Sequence, residues 1–223
     1  MKNIVFAFCL TLLSVTEVLT QPPPIKPQPP TNFTPCVIPE GGCSEPWGPL
    51  QSKQIEIDCG GTLCTLEVFF KTRIACAGTA NFYDLSIGWA QAVGSSWICG
   101  FCLDGVLLQE QMAQKLMQIQ PSLWGNTILP DQCVVTYRAQ ASSCWEDGVW
   151  PFMGEHVGWG DWWWVPCSWA TCCVRPWQVC NRYGAYIATP LGPGVPTSPI
   201  PEYCSTYVFN PEVNGHSCYI TCP

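Results

Sequence analysis

Apolar and polar residues alternate with a period of two over several stretches of the chain. From Gln54 to Cys59, Ile55, Ile57 and Cys59 take turns with Gln54, Glu56 and Asp58. After Gly60-Gly61-Thr62, Leu66, Val68 and Phe70 alternate with Thr65, Glu67 and Lys71, and Phe69 breaks the rule. The two runs and the turn between them predict a hairpin with one buried face. From Phe82 to Trp89 the pattern places Tyr83, Leu85, Ile87 and Trp89 on one side. From Gln132 to Gln140 it places Cys133, Val135, Tyr137 and Ala139 on one face and Val134, Thr136 and Arg138 on the other. Residues 177–180 and 186–189 flank Asn181-Arg182-Tyr183-Gly184, a hairpin turn.

One segment has the other period. Residues 104–120 hold no proline and many good helix formers. Asp104 can cap the start and Pro121 stops the run. Leu108, Met112, Leu116 and Ile119 form one stripe, with Val106, Ala113 and Met117 beside it. That stripe predicts a helix docked on a sheet, with Gln109, Gln111, Gln114, Lys115 and Gln118 facing water. The expected fold is mainly β (α+β): a disulfide-rich antiparallel β domain with one α-helix, at about 104–120, packed on the sheet. No fixed-period repeat argues for a solenoid.

Punctuation divides the chain further. Residues 1–20 read as a signal peptide: Lys2, then an apolar run from Ile4 to Val15, then small residues at Val18 and Thr20. The run is too short to span a bilayer, so no membrane span is expected after cleavage. Residues 21–35 form a proline-rich arm, expected as polyproline II. It serves as a spacer or packs on a neighbouring subunit, and Asn32-Phe33-Thr34 in it is a glycosylation sequon. The β domain covers 36–189. Residues 190–201, with five prolines, read as a linker and not as a strand. A cysteine-containing tail, 202–223, follows, with an extended stretch at 204–209 and a turn at Asn214-Gly215.

Composition adds compartment and partners. Seventeen cysteines are present, and removal of Cys9 with the signal leaves an even number. A secreted chain with this density predicts a disulfide framework of Cys36, Cys43, Cys59, Cys64, Cys76, Cys99, Cys102, Cys133, Cys144, Cys167, Cys172, Cys173, Cys180, Cys204, Cys218 and Cys222. Connectivity is not readable, but parity is. Thirteen of these lie between Cys36 and Cys180 and three in the tail. If all pair within the chain, at least one bridge ties the tail to the body. The net charge is −7, and the nine Lys and Arg are scattered, so nucleic acid is not an expected partner.

Candidate chemistry is sparse. Cys99-Gly100-Phe101-Cys102, ahead of the helix, resembles the redox motif of thioredoxin-like proteins. That resemblance implies a thiol–disulfide oxidoreductase acting through Cys99 and Cys102, but such a core needs strand–helix–strand alternation and only one helix is visible. Two distant histidines, His156 and His216, make no zinc pattern, so no metal or cofactor is expected. Glu146, Asp147, Glu155, His156 and Asp161 within the tryptophan-rich stretch are the acids and base a glycoside hydrolase would draw on. No catalytic set is singled out, and an enzyme is less expected than a non-enzyme.

Residues 144–180 hold eight of the twelve tryptophans and five of the cysteines. Within them, Trp159, Trp162, Trp163, Trp164 and Trp169 are the candidate binding residues. If 162–164 is a strand, Trp162 and Trp164 share a face and Trp163 takes the other. An exposed face would be an aromatic interaction patch. A tryptophan mini-core under long loops is the competing outcome. The function expected is a secreted, self-associating structural or cell-surface protein, a possible extracellular filament or matrix subunit. A glycan-binding module and the oxidoreductase are the alternatives.

Overall fold

The computed structural model describes residues 32–35, 45–77, 80–93, 105–119, 122–142, 144–149, 162–166, 172–197 and 217–220. The protein is mainly β with one helix. Its strands are β1 (Gln51–Asp58), β2 (Leu63–Ala77), β3 (Ala80–Ala92), β4 (Cys133–Ser142), β5 (Cys144–Val149), β6 (Trp162–Pro166), β7 (Cys172–Arg182), β8 (Ala185–Pro190), β9 (Val195–Pro196) and β10 (Ser217–Ile220). The helix α1 spans Gly105–Met117, between β3 and β4. The expected hairpins β1–β2 and β7–β8 form as read. Tyr183 and Gly184 both take positive φ at the second turn, as a tight hairpin requires.

All ten strands belong to one sheet that forks at β3. One edge of β3 pairs with β2 along its length. The other edge is shared. Tyr83–Ile87 pair in parallel with β4, and Ala90–Gln91 pair antiparallel with β6. Strands β4 and β5 are separated by one residue, so β6 enters between β3 and β5 where β4 ends. One branch then runs β3–β6–β5–β10 and the other β3–β4–β7–β8. Because β3 and β4 are parallel, a crossover must join them, and α1 lies in it.

The helix decides the curvature. Strands β1 and β8 are five steps apart through β2, β3, β4 and β7. At about 4.8 Å per step a flat sheet would hold them roughly 24 Å apart, twice the roughly 10–12 Å width of a helix. Yet α1 bonds to both. Gln111 clasps the Asp58 backbone at the end of β1, accepting from its N–H at 2.8 Å and donating to its carbonyl at 2.9 Å. Gln114 Nε2 donates to Ala188 O on β8 at 3.0 Å, and Gln109 Nε2 to Ser142 O at 3.1 Å. The sheet therefore curls around the helix. These glutamines were expected to face water; all three bond to strand backbone instead, because the curled sheet comes within their reach.

Leu108, Met112, Ala113, Leu116 and Met117 fill the concave side against Ile55, Ile57, Leu66, Val68, Phe70, Leu85 and Ile87. The stripe is core, as expected. Two bulges correct the expected strand faces. Phe69 pairs with Trp89 and Phe70 with Ile87, which leaves Gly88 unpaired. The extra residue flips the alternation. Ala90 joins the core, while Trp89 turns to the far face and stacks on Phe69 with ring centres 4.7 Å apart. Phe69, the exception in the pattern, is thereby explained. In β4 the register shifts between Val134 and Tyr137. Val134 packs beside the core with Tyr137, and Val135, expected on the same face as Tyr137, is 54% exposed.

The segment read as a linker also differs. Val195–Pro196 is a short strand on β7, and Thr197 N donates to Cys172 O at 2.8 Å. Pro176 has no N–H to donate to a ladder, and it stands where β8 gives way to β9 along β7.

Candidate functional site

Strand β6 carries the tryptophan triplet. Trp164 lies opposite Ala90 of β3 and Asp147 of β5, and Trp163 opposite Gln91 and Gly148. Trp164 is 1% exposed and joins the core with Trp145 and Trp177. Its expected place in an exposed aromatic patch is thus corrected. A strand paired on both edges and opposite an alanine offers room for a large ring on its inner side. Trp162 and Trp163 are placed as strand positions only, and Trp159 and Trp169 lie outside the described residues. Trp145, on β5, donates from Nε1 to Ser142 O at 2.8 Å, bridging the break between β4 and β5. This part of the stretch builds the interior. Sugar stacking needs an open indole face, which Trp164 does not offer.

The branch ends at an edge. Strand β10 comes from the tail and pairs antiparallel with β5: Ser217 opposite Asp147, Cys218 opposite Glu146, Tyr219 opposite Trp145 and Ile220 opposite Cys144. Residues 198–216 connect it to β9. The β1 edge is guarded, and one carbonyl of β8 is covered. The clasp of Gln111 caps the end of β1, Lys53 and Glu56 charge the rest of that strand, and Gln114 covers Ala188 O. Charges and bonded backbone discourage further strand addition.

The convex face holds the main charged cluster among the described residues. Arg73, Asp84 and Arg138 stand side by side on β2, β3 and β4. Arg73 Nε donates to Asp84 Oδ2 at 2.9 Å, and Arg138 donates from Nε to Oδ1 at 2.7 Å and from Nη2 to Oδ2 at 2.9 Å. Both carboxylate oxygens are occupied and buried, so Asp84 is a structural counter-ion and not a free base. Trp47 lies under the Arg73 guanidinium at 4.5 Å, and Phe82 under that of Arg138 at 4.2 Å. This cluster was not read from the sequence. Its signal was present, since all three charges fall on the polar side of alternating strands, but the pairing needs the register.

The arm's end docks here too. Phe33 is buried edge-on against Trp89, ring centres 5.9 Å apart, and Lys71 Nζ donates to Phe33 O at 2.7 Å. Asn32 and Thr34 are exposed, so the sequon residues face outward on either side of the buried ring.

Cys59, Cys64, Cys76, Cys133, Cys172, Cys173 and Cys180 are all in disulfides. Cys133 and Cys180, directly opposite on β4 and β7, are bonded to each other. Cys144 and Cys218 are strand positions in β5 and β10. Cys36, Cys43, Cys99, Cys102, Cys167, Cys204 and Cys222 lie outside the described residues, as do Glu155, His156 and Asp161. No cluster of three or more His, Cys, Asp or Glu poised for a metal occurs among the described residues. None of their helices is long and apolar enough to cross a membrane. Searches for similar proteins matched no family model, no curated protein and no solved structure.

Proposed function

We propose that this chain is a secreted, disulfide-stabilised structural or cell-surface protein whose copies join through the C-terminal strand, as subunits of an extracellular filament or matrix. The observation that carries the reading is β10. Four residues pair with the outer edge of β5, and a connection of residues 198–216 separates them from the rest of the fold. At about 3.3–3.6 Å per residue that connection can extend to roughly 60 Å, enough to reach the β5 edge of an adjacent molecule. The same pairing made in trans is strand exchange, and repeated it gives a chain of molecules. The guarded β1 edge favours growth at the β5 edge over growth there. The tail's three cysteines cannot all pair among themselves, so an exchanged tail can carry a disulfide to the body it docks on.

The test is size measurement on the mature protein. Light scattering and electron microscopy should show concentration-dependent oligomers, and non-reducing gels a ladder that reductant collapses. Removal of residues 217–223 should reduce both to a single small species. A monodisperse monomer at high concentration, with the tail intact, would sink the proposal.

A further inference from the structure

A cavity of about 40 Å³ lies between α1, the middle of the sheet and the chain after β8. Its lining is apolar where it meets Ile87, Ala113, Ala139, Ala141 and Trp177. The space exists because three alanines, one from the helix and two from β4, converge where longer side chains would fill it. Arg175 and Glu110 also line it. Arg175 Nη1 donates to Glu110 Oε2 at 2.7 Å and its Nε to Gly192 O at 2.6 Å, so one guanidinium holds both the helix and the chain after β8. Nη2 makes no hydrogen bond among the described residues. Trp177 is buried, yet its Nε1–H has no acceptor among the described residues.

A wholly apolar cavity stays dry, and one of about 150 Å³ accepts benzene; this one suits only a few atoms. Gln109, Gln140 and Cys173 line it too, and the buried Gln140 amide has no partner at Nε2 or Oε1 among the described residues. The unpaired donors are thus two guanidinium N–H groups, the indole N–H and Gln140 Nε2, against one unpaired acceptor, Gln140 Oε1. The rest of the wall is hydrocarbon. We infer that the cavity binds a short-chain carboxylate of the acetate or propionate class. The carboxylate displaces Glu110 from Arg175, Trp177 Nε1 supplies a further donor, and the methyl or ethyl end rests among the three alanines. This site is independent of the assembly proposed above, since it involves neither β5 nor β10.

The experiment is a titration of the full mature chain, followed by the indole N–H resonance of Trp177, with sodium propionate, propylammonium chloride and sodium chloride at equal ionic strength. Propionate should move that resonance in a saturable way, with a dissociation constant in the millimolar range, as befits a ligand of so few atoms. Glu110→Gln removes the competitor and should tighten binding roughly tenfold, the scale of one charge-assisted hydrogen bond. Arg175→Met should abolish it. Should Arg175→Met fail to fold, Ala113→Leu, which fills the cavity and leaves the Arg175–Glu110 pair in place, must abolish it instead. The inference is overturned if propionate leaves the resonance unmoved in both the natural chain and Glu110→Gln. It is equally overturned if chloride or propylammonium shifts it as much, or if Ala113→Leu, shown folded by its melting curve, binds propionate unchanged.

Discussion

Gly88 is the residue at which β3 changes phase, and it leaves a hollow that Phe33 fills. A Cβ added there would lie 2.6 Å from Phe33 Cε1 and 3.1 Å from Phe69 O. Gly88→Ala should therefore expel Phe33 or shift the bulge, at a cost of about 1–3 kcal/mol. Urea unfolding measures the loss, and Phe33→Ala in the same background should remove much of the difference. Trp164 makes the complementary case. As a core residue, its replacement by Ala should cost about 3–5 kcal/mol, whereas a solvent-facing indole would cost far less, and denaturant unfolding separates the two. Tyr137 gives a pH dependence. Burial raises its pKa from 10.0 to about 12, opposed in part by the hydrogen bond from Asn126. The unfolded chain loses that proton first. The stability linked to this tyrosine is thus complete below pH 10 and falls as pH rises toward 12. Between pH 9 and 11.5 the loss should reach about 2 kcal/mol, and Tyr137→Phe should flatten that share of it.

The helix acts as a clamp between elements. Its apolar stripe supplies burial, while Gln111 and Gln114 tie it to β1 and β8, the two ends of the curled run β1–β2–β3–β4–β7–β8. Gln111→Ala leaves the Asp58 N–H and carbonyl to water, and should cost about 1 kcal/mol. Hydrogen exchange should quicken at the end of β1 while β3 keeps its protection. Uniform quickening would mean that the clasp has no local role. The same elements mark the limit of what the sequence made legible. The stripe from Leu108 to Met117 was readable because helical periodicity is local and needs no partner. The hairpins were readable because their turn residues sit between their strands. The faces of Trp89 and Val135 were not, since a bulge is defined by two residues on one strand opposing one on another. The fork was hidden for the same reason: nothing near Trp162 states that its strand slips between β3 and β5. Trp164 was therefore assigned by composition to a surface and placed by topology in the core.

Across the whole molecule, a sheet with two branches has to be held in register over long sequence distances. The β3–β4 pair spans the entire crossover, and β4 then meets β7 with the tryptophan stretch between them. Loop closure on this scale opposes folding. The Cys133–Cys180 bond counters it by joining residues 47 apart at the outer end of the β4–β7 ladder. Chain entropy alone assigns such a loop about 4 kcal/mol. It lies beside a bulge, where the ladder is weakest, and beside the β7–β8 hairpin that presents Tyr183, 91% exposed, at its tip. Replacing both cysteines by serine should thus lower the urea midpoint and speed exchange in β7, β8 and the start of β4. The β5–β6–β10 branch should stay protected, because β3 and β6 anchor it independently of this bond. If the assembly proposal holds, the double variant should still polymerise from its folded fraction, since the exchanged strand belongs to the other branch. Loss of stability without loss of assembly would separate the bond that secures the subunit from the edge that joins subunits, whereas simultaneous loss of both in folded protein would show that the two branches are not mechanically distinct.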